Sequence, residues 1–146
     1  MKKFRSKNSP LVLLIIALSL CAHSQHLSAA DVTGIRVVNH FVTSGESLLH
    51  AKRTPMRSFT SQDYIVFFVS LQWDPTKTSL GKHSVTWNWY AGNRLVSTDT
   101  KPLEFHHPPY DLWSRRAASG LGTGLFRVEA LLDRRLLASN TFVIKE

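Results

Sequence analysis

The amino-acid sequence predicts an all-β domain, an antiparallel two-sheet sandwich of about seven strands behind an N-terminal export signal. Three observations predict it. Helical periodicity of apolar residues is scarce after residue 30. Short runs rich in Val, Ile, Phe, Trp and Thr recur there about every ten residues, separated by Pro, Gly, Asn and Asp. The first 30 residues follow a different logic.

Lys2, Lys3, Arg5 and Lys7 form a positive head, Leu11 to Ala22 an uncharged apolar run, and Ser28-Ala29-Ala30 a small-residue cleavage site. The apolar run is about 12 residues, short of the roughly 20 that span a bilayer. Residues 1–30 are therefore expected to be a removable signal peptide, and residues 31–146 a single periplasmic or secreted domain. Removing 30 of 146 residues leaves 116, enough for one core. Four of the 18 basic residues and none of the 10 acidic ones lie in the leader, so the mature charge is 14 − 10 = +4. That mild excess suits an anionic envelope surface better than nucleic acid.

Cys21 is the one cysteine, so the mature domain has no internal disulfide and depends on packing. Leu18-Ser19-Leu20-Cys21 partly resembles a bacterial lipobox, although Leu20 is bulky where a small residue is usual. Lipidation of Cys21 is the alternative to its removal, and would give a membrane-anchored lipoprotein.

The strands are expected in order. Val32 to Phe41 opens the domain. Thr43 to Ser61 is a polar connection with a weak helical-turn tendency at Glu46 to Arg53. Tyr64 to Trp73 is apolar on both faces, as in a strand buried on both sides. His83 to Tyr90 alternates, with Val85, Trp87 and Trp89 toward the core. Gly92-Asn93 turns the chain into Leu95 to Thr98. Lys101 to Phe105 is a short strand, and His106 to Gly122 a long irregular loop. Gly124 to Leu132 points Phe126, Val128, Ala130 and Leu132 inward. After Asp133-Arg134-Arg135, Leu136 to Ile144 closes the domain.

No residue set specifies a reaction. The serines lie in no Gly-x-Ser-x-Gly elbow, the carboxylates form no evident pair, and Gly120 to Gly124 precedes a strand rather than a helix. His40, His50, His83, His106 and His107 show no metal-ligand spacing. An enzyme, a cofactor and a metal site are all unexpected. The binding candidates are Tyr90, beside a turn, and Trp113, Arg115 and Arg116 in the loop from His106 to Gly120. Tryptophan, tyrosine and arginine dominate interface hot spots. The other reading of Trp113 is a cap on the open end of the sandwich. Arg127 and Glu129 share a strand face as a solvent-side charge pair.

Val66-Phe67-Phe68, His83 to Tyr90 with Leu95-Val96, Trp113-Ser114, and the closing Phe126 to Asp133, Leu137-Ala138-Ser139 and Phe142-Val143-Ile144 carry a resemblance. Over Ile65 to Ile144 the chain resembles a family of small bacterial extracytoplasmic domains of unknown function. The resemblance implies an immunoglobulin-like β-sandwich and brings no catalytic residues. The chain departs from that pattern with Trp87-Asn88-Trp89-Tyr90 and with a last turn that lacks glycine. The expected function is a non-catalytic exported binding or accessory domain that contacts a protein or an envelope polysaccharide. The alternatives are a carbohydrate-binding module using exposed aromatics and a lipid-anchored structural component.

Overall fold

The computed structural model describes residues 34–45, 53–76 and 81–146. The expected leader, Cys21 and most of the tendency toward a helical turn at 46–53 lie outside them. Eight strands are present: β1 (Arg36–Ser44), β2 (Ser58–Thr60), β3 (Tyr64–Gln72), β4 (Lys82–Ala91), β5 (Arg94–Glu104), β6 (Tyr110–Ala117), β7 (Gly124–Leu132) and β8 (Arg135–Lys145). They form a three-stranded sheet, β1-β3-β6, and a five-stranded sheet, β2-β8-β7-β4-β5. Eight of the residues that fill the space between them are aromatic, and seven of these, Phe59, Phe67, Trp87, Trp89, Phe105, Phe126 and Phe142, are 2% exposed or less. Phe67 on β3 meets Trp87 on β4 edge-to-face at 5.7 Å, joining the two sheets. Trp73 also belongs to this interior, against Phe105 at 5.0 Å.

The alternation on β4 and β7 falls where the sequence puts it: Val85, Trp87 and Trp89, and Phe126, Val128, Ala130 and Leu132, are buried. Elsewhere the strand map changes. Val32 and Thr33 lie outside the described residues, and among those β1 starts only at Arg36, after Gly34, whose φ of +79 is a left-handed conformation that an extended strand does not accommodate. It continues to Ser44 because Val42 reaches the core and the Thr43 hydroxyl donates to the Thr54 carbonyl at 2.7 Å. Within the expected connection, Ser58–Thr60 forms β2, which runs parallel to β8 and so breaks the purely antiparallel pattern. Three residues are too few to show a period, and Phe59 is held by Phe142 edge-to-face at 5.7 Å. The two short strands expected at Leu95 and Lys101 are one strand, β5. It contains Pro102, which an edge strand tolerates because one of its sides has no ladder partner.

The largest correction concerns His106 to Gly122. That stretch is not an irregular loop: Tyr110–Ala117 is β6, paired over eight residues with β3 without a register shift. Its alternation was hidden because Ser114 stands at an inward position and Asp111, Trp113 and Arg115 at outward ones. Leu112 and Ser114 are buried beneath them.

The last hairpin explains its missing glycine. Leu132 pairs with Arg135, leaving Asp133 and Arg134 as a two-residue turn with φ +48 and +71. Aspartate tolerates this region better than most residues, and here tertiary bonds hold its side chain. Asp133 Oδ1 accepts the Ser84 amide at 2.8 Å, Oδ2 lies 2.6 Å from His83 Nδ1, and the Asp133 amide donates to the Ser84 carbonyl at 2.9 Å. The turn is thereby clamped to β4.

Candidate functional site

Inward and outward positions on a strand alternate, so β6 sorts the candidate residues by parity. Tyr110, Leu112, Ser114 and Arg116 are on the inner face; Asp111, Trp113 and Arg115 are on the outer face of the three-stranded sheet. Trp113 is 52% exposed and does not cap an end of the sandwich. Arg116 points the other way. Its Nε donates to Ser97 Oγ on β5 at 3.0 Å, its Nη1 donates to the Arg115 carbonyl at 2.8 Å, and its guanidinium lies 5.9 Å from the Trp89 ring. It ties β6 to β5 and is not part of the outer surface.

Tyr90 sits on the other sheet. It is half-buried on the outer face of β4, with the Arg127 guanidinium 4.2 Å above its ring. Arg127 is hydrogen-bonded to Glu129, the same-face pair expected from the sequence. The stack occupies the face of Tyr90 that an external ring would need. Tyr90 and Trp113 lie on the outer faces of different sheets.

The outer face around Trp113 includes residues the sequence reading did not single out. Strand pairing places Phe41, Phe68 and Trp113 in one rung, and Thr43, Val66 and Arg115 in the next. Phe41 and Phe68 are buried although they lie outside the core between the sheets; their rings are 5.1 Å apart. Arg53 crosses this face, its guanidinium 4.2 Å from the Phe68 ring and its Nη1 3.5 Å from Asp111 Oδ2. Asp111 also accepts from Ser70 Oγ at 2.8 Å. Tyr64, 53% exposed, lies at the end of β3 with the Arg115 guanidinium 5.0 Å from its ring. The signal for Tyr64 was in the sequence: it shares parity with Val66 and Phe68, opposite to Ile65, Phe67 and Val69. Treating the strand as uniformly apolar concealed it.

Beside Trp113 a cleft of about 230 Å³ opens between β6 and the β4–β5 pair, lined by Trp87, Leu103, Tyr110 and Leu112 among others. It is smaller than the roughly 300 to 1,000 Å³ of a drug-sized ligand pocket. His83 and Asp133 form the one Asp–His pair among the described residues. Among the described residues the buried His83 Nε2 atom has no hydrogen-bond partner, so none of their hydroxyls stands where a triad requires its nucleophile. Burial raises the Asp133 carboxyl pKa, but the hydrogen bonds from His83 and the Ser84 amide outweigh it and hold the carboxyl below its ordinary value. Such a carboxylate holds a turn in place. Among the described residues no three His, Cys, Asp or Glu side chains converge as a metal site would need.

No protein-family model matches the chain, and neither does any curated protein. Among solved structures, the fold is similar to an immunoglobulin-like protein from Pseudomonas aeruginosa. The TM-score is 0.55 at 10% identity, covering 76% of this chain and 96% of that one. It is also similar to a part of an alkylpurine DNA glycosylase from Pseudomonas fluorescens, solved bound to DNA containing an abasic site analogue. There the TM-score is 0.54 at 11% identity, covering 78% of this chain but 31% of the glycosylase. At these identities the likeness shows the fold alone. The domain is an immunoglobulin-like β-sandwich.

Proposed function

We propose that this immunoglobulin-like sandwich is a non-catalytic, exported binding module, and that it grips its partner with the outer face of the three-stranded sheet. The observation that carries the reading is that exposed Trp113 and exposed Tyr64 share one outer face with Arg115, whose guanidinium lies 5.0 Å from the Tyr64 ring. Rigid strands present these rings, so little conformational freedom is lost on contact. Isolated exposed apolar residues are ordinary, but two large aromatics flanking an arginine are the composition of a binding hot spot. The contact residues are Trp113, Arg115 and Tyr64; Arg116 and Tyr90 drop out because both are engaged within the fold.

Export rests on the leader-like residues 1–30, and the resemblance to bacterial extracytoplasmic domains agrees with it. The partner is a protein or an envelope polysaccharide. Nucleic acid is disfavoured by the small net charge, and the glycosylase likeness bears on fold only. Mass spectrometry of the native N-terminus tests the location: a free Asp31 marks a soluble exported protein, an acylated Cys21 an anchored one, and an intact Met1 ends the exported reading. Retention of envelope components by the wild-type protein, lost with Trp113→Ala and kept with Tyr90→Ala, is the expected result for the face. Equal retention by all three overturns it.

A further inference from the structure

Besides Arg116 beside the buried Trp89, the described residues hold three arginine–aromatic stacks, each on an outer face of a sheet, and two of them are complete. Arg53 lies on Phe68 and meets the Asp111 carboxylate at 3.5 Å. Arg127 lies on Tyr90 and meets Glu129. In both, the ring takes one face of the guanidinium and a carboxylate takes its edge. The third stack, Arg115 on Tyr64 at 5.0 Å, has the ring and the cation, but among the described residues no carboxylate meets its fork. We infer that an external carboxylate completes it, and that the ligand is an acidic, uronate-bearing polysaccharide. This rests on the binding-module reading above and names its ligand class.

Charge and shape both favour that ligand. A guanidinium fork matches a carboxylate bidentately, and its contact with the Tyr64 ring holds it in place. Trp113 stands two positions from Arg115 on the same face of β6, roughly 7 Å along the strand. A pyranose ring can lie on the exposed indole while the carboxylate of an adjoining sugar reaches the guanidinium. An acidic peptide would need the cation but not the flat aromatic neighbours. The +4 charge expected for residues 31–146 attracts a polyanion from a distance.

The test is calorimetric titration of the protein, purified as its host processes it, with alginate and polygalacturonate. Dextran serves as the neutral glycan and polyglutamate as the acidic peptide. Saturable binding to a uronate polymer is expected, weakening as salt rises, with no binding to dextran or polyglutamate. Arg115→Gln and Trp113→Ala should each weaken it about tenfold to a hundredfold, whereas Arg127→Gln leaves it unchanged. Unfolding curves confirm that the variants are folded. Equal binding of polyglutamate overturns the glycan assignment, as does uronate binding indifferent to Arg115→Gln. If neither uronate binds but envelope components are still retained through Trp113, the ligand class is wrong and the binding face stands. If retention through Trp113 fails as well, both fall.

Discussion

The two outer faces of the sandwich are built on opposite plans. On the five-stranded sheet, neighbouring side chains satisfy one another: Thr86 and Thr100 share a hydrogen bond at 2.9 Å, Thr98 donates to Asn88 at 2.8 Å, and Arg127 lies between Tyr90 and Glu129. On the three-stranded sheet the rungs are Phe41–Phe68–Trp113 and Thr43–Val66–Arg115, and of these only Trp113 and Arg115 are exposed. Arg53 and Asp111 complete one side of that face, and on the other no carboxylate among the described residues meets Arg115. Exposure alone would not separate the two faces, since Leu125 on β7 is 61% exposed, more than Trp113. What separates them is whether each charged or aromatic group already has its partner within the chain. Stability should therefore depend on the first face and the interior, and recognition on the open part of the second.

The largest effect sharpens the contrast between tryptophans. Trp89→Ala removes a side chain with no exposed surface and should cost about 3 to 5 kcal/mol in urea unfolding. Trp113→Ala should change stability by no more than about 0.5 kcal/mol. A loss near that of Trp89 would mean that Trp113 supports the fold, and the contrast would collapse.

Asp133 comes next. Asp133→Ala removes its bonds to His83 and the Ser84 amide and leaves alanine at φ +48, a loss of about 1 to 2 kcal/mol at pH 7, kept small because part of the carboxylate faces water. Its depressed pKa sets the sign of the pH dependence. The contribution is fully present above the unfolded value of about 3.9 and is lost as pH falls through the lower folded value. Unfolding curves of wild type and Asp133→Asn should therefore converge as pH drops below about 4. A gap that stays constant into strong acid would show that the carboxylate charge is not what clamps the turn.

These residues also show where the sequence was legible. Trp87, Trp89, Phe126 and Val128 could be placed because strict alternation survives when one face is buried and the other polar. β6 could not, because Ser114 stands at an inward position and Trp113 at an outward one, inverting the pattern that marks a strand. Trp113 and Arg115 were still recognisable as candidates by residue type. Their relation to Tyr64 was not, since 49 or more residues separate them in sequence and only the β3–β6 register brings them together. The lack of glycine at Asp133 looked like a departure, and its cause, a bond to His83 fifty residues away, is a tertiary contact.

Glu129→Ala opens the Arg127 stack while keeping its ring. It should destabilise by about 0.5 to 1 kcal/mol, because Glu129 is largely buried and its partner half exposed. The variant then carries two open stacks, one on each face. If the open fork alone sufficed for recognition, Glu129→Ala would gain uronate binding. Without a neighbour like Trp113 beside Tyr90, no gain is expected, and a gain would shift the weight of the proposal from the aromatic pair to the cation.

The smallest stability change belongs to the converse variant. On β7 the carboxylate that completes the stack sits two residues after its arginine, at Glu129 after Arg127. The equivalent position after Arg115 is Ala117, half-buried and opposite Tyr64 on β3. Ala117→Glu places a carboxylate where it can reach the Arg115 fork and so copies the completed arrangement onto the open face. Such a pair should change stability by only a few tenths of a kcal/mol. Retention through Trp113 should nevertheless fall, because an external carboxylate must now displace an intramolecular one at far higher effective concentration. Undiminished retention by Ala117→Glu would mean that the Arg115 fork is not the contact, and the difference between the two faces would then lie in their aromatic rings alone.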